Sequence, residues 1–229
     1  MKKNKKTEGG KEPSKTIKEK KEVSLKKMKT MQSLMDAVGR IIEQRGYPGL
    51  TIMNIEAEAK QHRRLIYLYF GNVENLIETY IRQKDFWLFA TQDLIKQLEN
   101  EALHIEKNDI VKLLQDQLNT MLHDKVLQGI IHWELGKGNE VLRTVMERRT
   151  EISEQLFSAV EPNFKDKGVD LRGILALLIG GVYYISMQST TTGGFFCGID
   201  ANQPNGQKQI ADALKTVVDW IYEKAEVIE

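Results

Sequence analysis

The 229-residue sequence has one cysteine, Cys197, which excludes an internal disulfide framework and any metal site built from several thiolates, and which fits a reducing compartment. Catalytic signatures are missing as well. No Walker A sequence, Gly-x-Ser-x-Gly elbow or Gly-x-Gly-x-x-Gly fingerprint occurs, and Gly136-Lys-Gly138 alone is uninformative. His104, His123 and His132 lack a helical spacing suited to joint metal ligation, and the carboxylates are scattered. The expectation is a protein that is not an enzyme and uses neither metal nor cofactor. Strand-like alternation is absent throughout, and so is any repeat at a fixed period.

The lysine-rich start lacks the apolar run of a signal peptide, because Ile17, Val23 and Leu25 stand isolated. Residues 1–30 hold 12 Lys against four Glu, a local balance of +8 in a chain of net charge +1, so residues 31–229 carry −7. Basic character thus belongs to a tail, residues 1–23, which reads as a flexible or disordered arm. Its lysines are either simply solvated, or lie along a phosphate backbone or reach into a minor groove. No charged residue falls between Arg172 and Asp200, yet the continuously apolar part, Gly173 to Met187, is about 15 residues, short of the roughly 20 a bilayer needs. A buried core helix is expected there, and no membrane partner. Gly173, Ala176, Gly180 and Gly181 recur along it three or four residues apart, a small-residue stripe where another helix approaches closely.

What the sequence does contain is helical periodicity with clear punctuation. Met28, Met31, Leu34, Met35, Val38, Ile41 and Ile42 return every three or four residues from about Ser24, until Gly46-Tyr-Pro-Gly49 stops the pattern. Thr51 caps a second helix with Ile52, Ile55 and Ala59 on its apolar face. A third short helix points Ile66, Tyr69 and Phe70 inward and Arg63, Arg64 and Tyr67 outward, with Gly71 closing it and Asn72 capping the next. Leu76 through Trp87, Leu94, Ile95 and Leu98 then describe one long amphipathic helix. Further helices are expected at about 108–123, 125–135, 139–160, 170–192 and 207–225. The fold class is all-α: a small N-terminal helical unit over residues 24–71 and a larger helical body over 72–229.

The phrase Ile41-Ile-Glu-Gln-Arg-Gly-Tyr-Pro-Gly-Leu-Thr51, followed by Ile55, Ala59, Ile66-Tyr-Leu-Tyr-Phe-Gly71, Glu74 and Leu76, resembles the TetR/AcrR family of bacterial transcriptional regulators. The close match runs from about Met31 to Leu76. The resemblance implies a helix-turn-helix DNA-binding unit, a helical ligand-sensing and dimerisation domain, and a homodimer joined through the last two helices, around Leu171 to Gln188 and Ile210 to Ile221. It further implies a near-palindromic double-stranded operator, a small-molecule effector that releases a repressor, and a cytoplasmic location. By resemblance His62, Arg63, Arg64, Leu65 and Tyr67 face DNA, and Thr51, Tyr67 and Tyr69 meet phosphates.

The chemistry of those side chains agrees with these roles. A helix N-terminus with a Thr51 hydroxyl suits a phosphate, a guanidinium at Arg63 or Arg64 pairs bidentately with guanine, and tyrosine hydroxyls donate to phosphate oxygens. The alternative for Arg63 and Arg64 is a solvated helix face, and for Tyr67 and Tyr69 packing against the first helix. Ala59-Lys60-Gln61-His62 departs from the family's small residue, Gly, Val, Ser turn, Glu56 stands where alanine is habitual, and Val73 replaces a frequent lysine. Candidate effector contacts in the body are Phe86, Trp87, Trp133, Phe157, Tyr183, Tyr184 and Met187, bulky residues that are either core or pocket wall. A rival reading is a module of the same fold that binds a ligand or a protein and has lost specific DNA binding.

Overall fold

In the computed structural model, which describes residues 13–91, 105–136 and 140–227, the first helix, α1, spans Pro13–Arg45. It therefore starts well before Ser24, and residues 13–23, expected as a flexible arm, are helical. Residues 1–12 lie outside the described residues. The physical reason is local: proline suits the first turn of a helix, and straight-chain Lys and Glu lose little rotamer freedom in one. Residues 21–29 are exposed throughout, and the part before Ser24 carries no apolar repeat to mark it as helical.

A 3-10 turn at Tyr47–Gly49, entered through Gly46 at φ 64°, leads to α2, Ile52–Ala59, then α3, Arg64–Phe70, and α4, Val73–Lys84. The Thr51 hydroxyl accepts from the Asn54 amide at 3.2 Å and Asn72 Oδ1 accepts from the Asn75 amide at 2.6 Å, so both caps act as their residue types suggest. The long fourth helix does not continue as the periodicity implies. At Asp85 the backbone is extended and a new short helix, α5, Phe86–Ala90, begins. Asp85 Oδ1 accepts from the Leu88 amide at 3.0 Å, so an N-cap interrupts an apolar pattern that passes unbroken through it. The part carrying Leu94, Ile95 and Leu98 lies outside the described residues.

The body comprises α6, Lys107–His123, α7, Lys125–Gly136, α8, Glu140–Val160, α9, Leu171–Thr192, and α10, Pro204–Val227. Among the described residues the β content is one isolated bridge, Phe196 with Ile199. One core joins α1 (Leu34, Val38, Ile41), α2 (Ile55), α3 (Ile66, Phe70) and α4 (Leu76, Ile81) to Ile130 and Trp133 of α7 and Val145 of α8. A second gathers α6, the end of α8, α9 and α10 around Leu114, Val182, Leu214 and Val218. The two halves meet closely. A Cβ on Gly129 would lie 2.8 Å from Ile42 Cγ2, and Tyr47 stacks on Trp133 with ring centroids 3.7 Å apart.

Helix α9 corrects the expectation of a buried core helix. Its segment Leu171–Thr191 is long and apolar enough by length and composition to cross a membrane, with mean hydropathy 1.3, and 17% of it is buried within the chain. Leu177 is 78% exposed, and a Cβ on Gly180 or Gly181 would meet nothing within 4 Å. Nearby α10 leaves Trp220 62% exposed. Among the described residues one face of α9 thus packs into the second core and the other, apolar face stays exposed.

Candidate nucleic-acid interface and ligand cavity

The helix-turn-helix unit holds α3 by its apolar residues and leaves the rest outside. Ile66 and Phe70 are buried, Tyr69 and Leu65 half-buried, and His62, Arg63, Arg64 and Tyr67 exposed. Helix α2 is tied to α1 at its far end: Arg40 Nε donates to Glu58 Oε1 at 2.6 Å, and the Ser33 hydroxyl donates to the Ala59 carbonyl at 3.1 Å. Lys60 takes the left-handed backbone (φ 52°, ψ 37°) at the place where the family turn carries glycine.

The departures Glu56 and His62 have local uses. Glu56 Oε1 accepts from the Arg63 amide and His62 Nδ1 from the Arg64 amide, each at 3.1 Å, so the start of α3 is capped by side chains. His62, expected to face DNA, is exposed but engaged in this cap. Tyr69 packs on the core between α1 and α3 with Lys27 Nζ 5.7 Å from its ring centroid, while Tyr67 projects freely. Thr51 is exposed, and its hydroxyl hydrogen remains free for an acceptor while its oxygen caps α2.

In the body a cavity of about 330 Å³ opens between α6, α8 and α9. Aliphatic side chains such as Ile110, Leu113, Leu156, Leu175 and Ile179 make most of its wall, with Trp87, Phe157 and Tyr183 among them. These three sequence candidates are brought together: Trp87 Nε1 donates to the Tyr183 hydroxyl at 2.8 Å. Phe86, Trp133, Tyr184 and Met187 do not line it. Trp133 stacks on Tyr47 and with Met187 lines a separate opening beside Gln128 and Thr190, Phe86 and Met187 pack beside Met121, Leu127 and Ile131, and Tyr184 is an exposed residue in edge contact with Phe196.

One wall carries a buried charge network that the sequence did not disclose. Arg149 of α8 donates from Nε to Asp85 Oδ2 at 2.7 Å and from Nη1 to Glu134 Oε1 and Oε2 at 3.0 and 2.9 Å. Burial opposes the charge of Arg149, but Asp85 and Glu134 outweigh it and hold the guanidinium above its ordinary value. Burial also pushes the Tyr183 hydroxyl up, so it stays neutral. Asp85 is the cap at the α4–α5 break, which places the network between the cavity and the helix leading to the DNA-binding unit. Among the described residues no cluster of three or more metal-ligating side chains occurs.

Residues 34–80, from within α1 to within α4, match the family model of bacterial regulatory proteins, tetR family. These residues form a tetR-family unit. No curated protein matches the sequence. Among solved structures the chain is similar to the fatty acid degradation regulator FadR from Bacillus halodurans, at 20% identity over 80% of this chain and 97% of that one, TM-score 0.57. It is also similar to the transcriptional regulator FadR from Bacillus subtilis in complex with stearoyl-CoA, at 16% identity over 82% and 96%, TM-score 0.58. At these identities the likeness shows a shared fold: a tetR-type DNA-binding domain followed by a helical C-terminal domain.

Seen on that fold, the residues that sequence reasoning missed are Asp85, Glu134 and Arg149. The tetR-family stretch ends before all three, and none carries a motif. The available signal was Asp85 itself, an N-cap residue standing before Phe86-Trp-Leu inside a helical run.

Proposed function

We propose that the chain is a homodimeric transcriptional regulator of the tetR type, acting in the cytoplasm as a repressor that a small molecule releases from a near-palindromic operator. The observation that carries this reading is the row of Arg63, Arg64 and Tyr67, all exposed at the start of α3 and along it, while Ile66 and Phe70 anchor the helix to α1 and α4. A recognition helix needs that division between anchored and free faces. Thr51 supplies a phosphate donor at the start of α2, and Lys21, Lys26, Lys27 and Lys29 extend positive charge along α1. The exposed stripes of α9 and α10 supply the face for a second copy, where four helices would close an interface across a twofold axis. The cavity supplies the effector site, and Asp85 links its charged wall to the end of α4.

The decisive experiment selects a preferred site from random duplex DNA with the wild-type protein, then titrates Arg63→Ala and Arg64→Ala against that site and a scrambled duplex. Loss of a bidentate base contact costs about 1–3 kcal/mol on the selected site and little on the scrambled one, with helical content unchanged. If the wild type selects no sequence, or both variants bind the site unchanged, the chain is instead a binding module of the same fold whose capped α3 no longer reads DNA.

A further inference from the structure

We infer that the body cavity is built for a lipophilic cation, an ammonium group on an apolar chain, and not for a fatty acyl anion; the inference rests on the ligand-sensing reading above. At about 330 Å³ the cavity sits near the small end of sites that enclose drug-sized molecules, and most of its wall is aliphatic. Its selectivity therefore lies in the few charged groups present. Among the described residues that line it, Arg149 is the one cation, and Glu134 and Asp109 are the anions.

Arg149 is not available to an incoming carboxylate. Its Nε and Nη2 are both on Asp85 Oδ2 at 2.7 Å, and its Nη1 is on both oxygens of Glu134. Two carboxylates around one guanidinium leave a formal charge of −1, and Asp109, which lines the cavity from the first turn of α6 while its carboxylate accepts from the Glu106 amide, adds another. A negatively charged head group would meet repulsion there, would find no unspent guanidinium fork, and would still lose its water. A positively charged one meets the opposite field. Glu134 lies on the cavity wall and an ionised carboxylate has about four acceptor positions, more than Arg149 occupies. Trp87 and Tyr183, beside it on the wall, offer the aromatic faces that attract a desolvated ammonium. Tyr183 adds to this only as a neutral, hydrogen-bonded phenol, held by the Trp87 indole.

The test is calorimetric titration of the full chain with three probes sharing one decyl tail: decylamine, 1-decanol and decanoate. Decylamine is expected to bind at least about tenfold tighter than decanol, the scale of one ion contact away from bulk water, with decanoate weakest. Glu134→Gln should bring decylamine to within about twofold of decanol without weakening decanol. Asp109→Asn, which leaves the Arg149 network intact, should lower decylamine affinity by a smaller factor and serves if Glu134→Gln does not fold. Decanoate binding as tightly as decylamine, or decylamine binding no tighter than decanol, overturns the charge inference while leaving the cavity a ligand site. Failure of all three probes to bind the wild type overturns it together with the ligand-sensing reading.

Discussion

A methyl group added at Gly39 in α1 would collide with the Tyr80 hydroxyl, whereas one added at Gly180 in α9 would touch nothing within 4 Å. The same contrast separates the two regions generally. In the N-terminal unit Gly49 is equally hemmed in, with Arg45 Cβ 2.7 Å from the position a Cβ would take, and α1 to α4 close over one another and onto α7. In the body, apolar side chains surround a cavity and line an outer stripe that the described residues leave exposed. The first region is completed by its own sequence. On the function proposed above, the second is completed by a ligand inside and a second copy outside.

The largest expected effect comes where the body is packed as tightly as the DNA-binding unit. Arg149→Ala leaves Asp85 and Glu134 buried without their cation, and should cost about 3–5 kcal/mol in denaturant unfolding. The triple variant Asp85→Asn, Glu134→Gln, Arg149→Met removes all the charges and keeps a capping side chain at residue 85, and should recover most of that loss. If the single variant costs less than about 1 kcal/mol, Arg149 does not neutralise two buried carboxylates as its contacts imply. Unfolding should be compared at equal protomer concentration, since association contributes to stability.

Next in size is the glycine contrast itself. Gly39→Ala must displace the buried Tyr80 ring and should destabilise by about 1–3 kcal/mol. Gly180→Arg should leave the circular dichroism of the helices unchanged and convert a dimer to a monomer in analytical ultracentrifugation. A Gly180→Arg protein that remains dimeric would break the comparison, because the open space on α9 would then not belong to a second copy.

This difference also explains which parts of the molecule were legible in the sequence. Thr51, Gly71 and Asn72 gave α2, α3 and α4 their ends because caps and left-handed glycines act within a few residues. The apolar repeat gave α6 to α10 nearly to their termini for the same reason. The break at Asp85 is signalled only by one capping residue inside an unbroken apolar pattern, and its pairing with Arg149 across the body has no local signal at all. Trp133 and Met187 line an opening separate from the body cavity, because residue type alone does not say which cavity an aromatic or a methionine walls. The burial of α9 was misjudged because composition cannot say whether an apolar face is covered by the same chain or by another. Of the DNA-facing candidates, the exposure of Arg63, Arg64 and Tyr67 followed from helical period, whereas the capping bonds made by His62 and Glu56 depend on how the turn closes.

Smaller, and confined to alkaline solution, is the effect of Tyr80. Burial first, then Asp124, Asp36 and Glu43, push its hydroxyl from 10.0 up to about 12. The folded value lies above the unfolded one, so the fold favours the neutral phenol; that stability is fully present below pH 10 and is lost as pH rises towards 12. Tyr80→Phe should change thermal stability little at pH 7 and should make the melting temperature fall less steeply between pH 10 and 12. Tyr183 and Tyr222 are raised by burial as well, so the decline is reduced and not abolished. An unchanged slope would mean that Tyr80 is wetter than its place against Gly39 implies.

The smallest effect tests the one loose joint of the otherwise closed N-terminal unit. Lys60 holds φ 52° while its amide donates to the Glu56 carbonyl, a conformation that costs a residue with a side chain about 1–2 kcal/mol relative to the ordinary helical region. Lys60→Gly relieves that strain, at some loss through the greater freedom of glycine in the unfolded chain, so a net gain of about 0.5–1 kcal/mol is expected in urea unfolding. The same substitution removes an exposed positive charge beside α3. If Lys60 meets a phosphate, the slope of log K against log salt should flatten by about 0.9 on any duplex. A gain in stability with an unchanged salt slope would place the lysine outside the DNA contact and leave its strained backbone with no counterpart in binding. A gain in stability with a flatter slope would make this turn the point where the unit gives up packing quality for charge, and the contrast with the body would then hold for the core of the unit but not for its DNA-facing edge.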